Sequence, residues 1–202
     1  MSNATQRLGS RDSEQRCKII STAERLFREI GFQKTTVADI ARALGMSPAN
    51  VYRFFGAKSE INQAVARQMM GEVEEALRRI ALGAGDAADR LRDLVKTNEA
   101  MNAARYVADR KLHDMVEAAL NENWPIIAEH VEHIDQSLEI VIASGMKSGE
   151  FAAGDARLAA LLVHTACIRY CHPRIMVECA ERPEPTSAQM LDFCLKALRT
   201  PG

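Results

Sequence analysis

At 202 residues the chain is long enough to bury a full core, as one large domain or two small ones. A net charge of −1 argues against a uniformly basic nucleic-acid protein. No stretch approaches the ~18 consecutive apolar residues of a transmembrane helix, and the first residues lack the apolar run of a secretory signal. The charge is unevenly distributed. Residues 1–60 hold 10 Lys/Arg against 6 Asp/Glu, and residues 61–202 hold the other 16 against 21, so a +4 head precedes a −5 body. Only the head is suited to a polyanion. The five cysteines (Cys17, Cys167, Cys171, Cys179, Cys194) are odd in number and sit in apolar helical patterns. That usage fits a reducing cytoplasm better than a disulfide framework.

Hydrophobic spacing is helical nearly everywhere, and nowhere alternates as a strand would. After a solvated N-terminal arm carrying Arg7 and Arg11, a first helix is predicted over 12–31, with Ile19, Ile20, Ala23, Leu26, Phe27 and Ile30 as its stripe. Asp12 and Gln15 suggest its capping box, and Gly31 its end. A second helix follows over 37–44, opened by Thr36 with Asp39 three residues on and closed by Gly45. Ser47-Pro48 then starts a short third helix, 48–55: a hydroxyl cap, then a proline where no N–H is needed. The fourth runs from Lys58 to about Ala81, and LGAGD (82–86) breaks the pattern. Further helices are expected over 87–105, 110–121, 125–145, 156–171 and 187–199, with a loop at 147–155 whose Asp155 caps the eighth. Nine helices and no internal repeat define an all-α protein.

Residues 36–61, TVADIARALGMSPANVYRFFGAKSEI, carry most of the functional information. Val37, Ile40, Ala41 and Leu44 give the second helix an apolar face, and Gly45 permits the turn. Pro48, Ala49 and Asn50 keep the leading end of the third helix small enough to lie deep in a DNA major groove. Val51 with Phe54 or Phe55 can anchor its far side. Read by spacing alone, the segment is also compatible with an ordinary helical hairpin.

Taken whole, the segment resembles the reading head of the TetR family of bacterial transcriptional regulators. The likeness rests on Thr36-Val37-Ala38-Asp39-Ile40-Ala41 and on the run from Leu44 to Ile61. Ala23, Leu26, Phe27, Gly31, Phe32, Thr35 and Thr36 match the upstream signature, so the specific resemblance spans about residues 16–61. It implies that Thr36, Ser47, Pro48, Ala49, Asn50, Tyr52, Arg53 and Lys58 face double-stranded operator DNA. Tyr52 and Lys58 would hold phosphates, Asn50 would pair an adenine edge, and Arg53 a guanine or a phosphate. Three positions depart from the family pattern. Phe54 stands where His or Tyr is usual, Ala57 where Ser or Asn caps the fourth helix, and Ala49 where glycine is common.

The resemblance also implies an all-α architecture of an N-terminal arm and helix-turn-helix domain over 1–58 and a helical ligand-binding and dimerisation domain over 59–202. Helices five to seven would enclose a small-molecule chamber, and eight and nine would pair two chains as a homodimer. Polar and adaptable groups in the body's apolar stripes are the candidate effector contacts: Asn98, Met101, Arg105, His113, Trp124, His130 and His164, with Met115 and His133 beside them. Each is equally readable as a satisfied core or rim group. A hydrophobic or aromatic effector suits that inventory.

His164, Cys167 and Cys171 share one helix face, which leaves open a metal- or thiol-responsive regulator, although the spacing matches no usual zinc pattern. No metal site or cofactor is expected. No phosphate-binding glycine loop and no nucleophile elbow is present, so the chain is not expected to be an enzyme. The overall expectation is a cytoplasmic, ligand-responsive homodimeric repressor. The alternatives are that metal or thiol sensor, or a helical binding protein or enzyme with a vestigial head.

Overall fold

A computed structural model of the chain describes residues 2–107, 110–122, 124–182 and 184–199, with side chains from residue 11 onward except at 107 and 110. Ten α-helices follow in order: α1 (Ser2–Ile30), α2 (Val37–Ala43), α3 (Pro48–Phe54), α4 (Lys58–Ala81), α5 (Ala87–Asn102), α6 (Arg110–Asn121), α7 (Pro125–Ser148), α8 (Ala156–Cys171), α9 (Pro173–Glu178) and α10 (Ser187–Leu198). A π-helical turn, Ala103–Val107, joins α5 to α6. No strand occurs among the described residues.

Local chemistry accounts for most boundaries. Thr36 and Asp39 form a reciprocal capping box on α2, and Ser47 accepts from the Asn50 N–H at α3. Asp155 accepts from the Leu158 N–H at α8, and Thr186 with Gln189 makes a second capping box on α10. Each such cap is worth about 1 kcal/mol. Asp86 makes no side-chain cap on α5; Glu150 reaches across the chain instead, accepting from the N–H groups of Ala87 (3.0 Å) and Ala88 (3.2 Å). Those bonds hold the Glu150 carboxyl below the usual range.

Four expectations are corrected. α1 starts at Ser2 rather than 12, so Asp12 is mid-helix, facing Arg53 at 4.0 Å, and Gln15 bonds the Met46 sulfur instead of closing a cap. The backbone of the expected arm is therefore helical, while the Arg7 side chain lies outside the described residues. Ile30 is exposed, as is Cys17, and neither belongs to the apolar face. α9 is a tenth helix; at six residues, opened by Pro173, it is too short to show a period. α7 continues to Ser148, closed by Gly149 at φ +81°, which trims the expected 147–155 loop.

Two clusters of buried side chains hold these elements. The first joins α1, α2 and α3 to the front of α4 and to α6, through Phe27, Ile40, Val51, Phe55, Met69 and Leu112. The second packs the back of α4 with α5, α7, α8 and α10, through Leu77, Leu91, Leu94, Ile142, Val163 and Leu195. Each fully buried aliphatic or aromatic side chain contributes about 1.5–3 kcal/mol. α4 belongs to both clusters.

At the far end of the body, Gly145 of α7 lies against the Phe151 ring. A Cβ there would meet Phe151 Cδ2 at 2.3 Å and Ala87 Cβ at 2.8 Å. Phe151 is buried and its N–H bonds the Gly145 carbonyl, so the ring has no room to retreat. Gly145→Ala should lower stability by about 1–3 kcal/mol through overpacking, read as an earlier urea midpoint at fixed protein concentration. An unchanged midpoint would refute the contact.

Candidate nucleic-acid interface and internal chamber

α3 is mounted on an aromatic floor. Val51, Phe54 and Phe55 are buried, so both phenylalanines anchor the helix rather than one. Arg16 of α1 clamps the arrangement from below, with its guanidinium 4.4 Å from the Phe55 ring centroid and a hydrogen bond donated to the Phe54 carbonyl. The opposite face of α3 is open: Ser47, Pro48, Ala49, Tyr52 and Arg53 are exposed, and Asn50 is half-buried. Arg53 stacks on the Phe54 ring at 5.0 Å and points outward.

Beside this face stand the other expected anchors. Thr36 is exposed, but its hydroxyl donates to Asp39 Oδ2 at 2.6 Å, so it would have to leave that bond to reach a phosphate. The Thr36 bonds hold Asp39 below the usual carboxylate range. Lys58 opens α4, its amine 5.8 Å from the Phe32 ring centroid and 3.5 Å from the Phe32 carbonyl; partial burial pulls its pKa down. Ala57 offers no side-chain cap, as its methyl requires, and Glu60 fixes the chain before it by accepting from the Gly56 N–H at 2.9 Å. Thr36, Ser47, Pro48, Ala49, Tyr52, Arg53 and Lys58 thus gather on one end of the molecule. Arg16 was not singled out from sequence, since a basic residue within an amphipathic helix carries no distinguishing signal.

The body holds a chamber of about 90 Å³ at the seam between the two cores. Ala66, Met69, Met70 and Val73 of α4 form one wall, Met115, Val116 and Ala119 of α6 another, and residues of α7, α8 and α9 close it. Asn102, the last residue of α5, and Tyr106, within the π turn, also line it. A π-helical turn widens the backbone locally, and such turns often border functional sites. The α4 wall went unrecognised because its apolar residues have ordinary core spacing, and α9 adds only Pro173.

The expected contacts divide. His130 and His164 line the chamber; Asn98 lines a smaller adjoining cavity that His164 also borders, and its carbonyl accepts from Asn102 Nδ2 at 2.8 Å. Met101 packs in the second core, and Trp124 is buried in the first with its indole N–H on Glu122. Arg105 binds the Met69 carbonyl and Glu72, tying the π turn to α4. His113 lies in an outer groove with Asp114 and Glu178, its Nε2 buried without a partner among the described residues.

Two of the chamber's three imidazoles are each braced by a carboxylate. His130 Nδ1 lies 2.7 Å from Glu74, which also holds His133, and His164 Nδ1 lies 2.6 Å from Asp135. Burial pulls the His130 pKa down despite Glu74 and does the same at His172. On the same α8 face, burial pushes the Cys167 thiol up to about 12 and raises Cys171 as well, so both remain unreactive thiols. Among the described residues no group of three or more His, Cys, Asp or Glu side chains is placed to hold a metal ion.

A helix-turn-helix head joined by one long helix to a hollow all-helical body is the architecture of a DNA-reading transcriptional regulator. Residues 19–65 match the family described as bacterial regulatory proteins of the tetR family, and residues 87–190 match the tetracyclin repressor-like C-terminal domain. The chain belongs to the TetR family of bacterial transcriptional regulators, which are not enzymes. It is 41% identical over 71 residues to the HTH-type transcriptional regulator BetI of Stenotrophomonas maltophilia, a match covering 35% of this chain and 36% of that protein. Such relatives are thus matched over about a third of their own length. Its fold is similar to a TetR/AcrR-family regulator of Thermobifida fusca (TM-score 0.62, 21% identity, 93% of this chain and 100% of that one). It is also similar to the SmeT–triclosan complex (TM-score 0.66, 20% identity, 93% and 92%).

The depressed His130 and His172 pKa values set a pH dependence. Below the ordinary imidazole value of ~6.5 the unfolded chain takes up protons that these buried rings resist, so the unfolded state binds more protons. Stability should therefore fall as pH drops from ~6.5 through the lower folded values. His130→Gln should make that decline shallower in urea titrations across this range. A slope identical to that of the unaltered protein would exclude His130 as a contributor.

Proposed function

We propose that the protein is a cytoplasmic, homodimeric repressor that holds operator DNA through α3 and is released by a small molecule bound in the body. The observation that carries this reading is the open face of α3, small at its leading end, flanked by Tyr52, Arg53 and Lys58 and backed by a buried aromatic floor. The +4 charge of residues 1–60 favours approach to DNA, and the −5 body is repelled by it. On this reading residues 1–58 form the reading domain and 59–202 the effector and dimer domain. Among the described residues no helix is long and apolar enough to cross a membrane.

Dimerisation is supported by an uncovered stripe. Leu158, Leu161 and Leu162 recur at helical spacing on α8 and are exposed, as is Phe193 on the adjacent α10. A two-fold pair of these helices would cover the stripe and set two heads on half-sites about one helical turn apart. Effector control is supported by the chamber and by the triclosan complex of SmeT, a protein of similar fold. Release requires that the effector bind the two states of the protein with different affinity.

An operator chosen from a random DNA pool allows the direct test. Lys58→Ala should weaken binding and lower the log–log salt slope by about 1. Tyr52→Phe should weaken it with little change of slope, because the phenol carries no charge. Unaltered affinity in both variants would refute this docking face.

The dimer is tested apart from DNA. Leu162→Glu should shift the protein to monomer in sedimentation analysis while helix content is retained, because a carboxylate buried in an apolar interface has no partner. A dimer that persists would place the interface elsewhere.

A further inference from the structure

Two imidazoles of the chamber wall are oriented from behind. Glu74 lies at His130 Nδ1 and Asp135 at His164 Nδ1, and a carboxylate offers only acceptors. In the neutral rings the proton therefore sits on Nδ1, and Nε2 keeps its lone pair. Neither Nε2 has a hydrogen-bond partner among the described residues, and both rings line the chamber. A third lining ring, His172, has its Nδ1 buried without a partner among the described residues. His130 and His164 thus present two free acceptors at the wall.

Charge narrows the guest further. No Lys, Arg, Asp or Glu lines the chamber among the described residues. Glu74, shared with His133, and Asp135, with Arg157 at 3.9 Å, stand behind the rings. An ionic guest would be dehydrated with no counter-charge at the wall. A neutral molecule with an O–H donor meets what the wall offers, and burial keeps His130 in the neutral, accepting form.

Size and surface give the rest. A dry cavity of about 150 Å³ admits benzene. The 90 Å³ here is smaller, so a single ring would need the flexible side chains of Met69, Met70 and Met115, which line it, to shift. Methionine sulfur also favours aromatic rings. A second ring would demand movement of the helices themselves.

We propose that the chamber takes a compact, uncharged, single-ring phenol. Its hydroxyl donates to Nε2 of His130 or His164, and its ring lies against Met69, Met70 and Met115. This assignment rests on the reading of the chamber as the effector site and adds the chemical class of the guest.

Calorimetric titration of the full-length protein with phenol, toluene and benzoate in neutral buffer tests it. Phenol should bind about ten-fold or more tighter than toluene, which has the shape without the donor, and benzoate should be weakest. In His130→Leu or His164→Leu the advantage of phenol over toluene should collapse while toluene affinity is kept, a pattern that misfolding cannot mimic. Toluene equal to phenol in the unaltered protein, benzoate tightest, or no binding of phenol would each overturn the assignment. Two further outcomes separate it from the reading beneath it. Operator release by a larger or charged compound, with phenol unbound, keeps the effector site and overturns the phenol. Phenol bound with operator occupancy unchanged keeps the phenol and overturns the effector role.

Discussion

One continuous helix carries the structural logic of this chain. α4 begins at Lys58 beside the reading face and ends at Ala81 deep in the body, with no break between. Its front half completes the core of the head through Ile61, Val65 and Met69, and its back half completes the core of the body through Val73 and Leu77. Met69 stands eleven residues from Lys58, about 16 Å along the axis. A helix anchored by buried side chains at both ends moves as a rod, because close-packed cores hold discrete arrangements and do not deform smoothly. On the proposed function, a displacement of the chamber wall would be carried along α4 into the core of the head.

α6 supplies a second route. Met115 and Ala119 line the chamber and also belong to the core of the head, and the Lys111 amine bonds the Glu29 carbonyl near the end of α1 at 2.6 Å. Tyr106 does the same from the π turn, which Arg105 ties to α4. Chamber and head thus share side chains and are not merely linked through a hinge. On the proposed function this is the property a switch needs: a guest that repositions Met69 and Met115 alters the floor on which the reading helix stands.

Much of this could be read from the chain, and the failures have physical causes. Capped, strongly periodic elements were legible: α4 and α8 begin and end as expected, and the Thr36, Ser47 and Asp155 caps form. The start of α1 misled because Asp12 and Gln15 have cap-like spacing yet sit where the chain is already helical. α9 was illegible because six residues are too few for a period. The exposed side of α3 was legible because it depends on a local run of side chains. The chamber was only partly so, because its lining comes from seven elements and residues such as Met69 look like plain core in their own helix.

The departures from the family pattern gain meaning together. Losing a cap at Ala57 would fray the first turn of α4, where Lys58 must hold its position. Glu60, at the third helical position, instead ties down the chain entering α4 by accepting from the Gly56 N–H. Phe54 exchanges an exposed polar group for a buried ring, and that ring in turn supports the Arg53 guanidinium. A stacked guanidinium has fewer orientations to lose on meeting DNA than a free one. On the proposed function, the head trades a polar side chain at position 54 for a braced guanidinium at position 53. That exchange works only because Arg16 holds Phe55 and the Phe54 carbonyl from beneath. The reading surface is in this sense made by α1 as much as by α3.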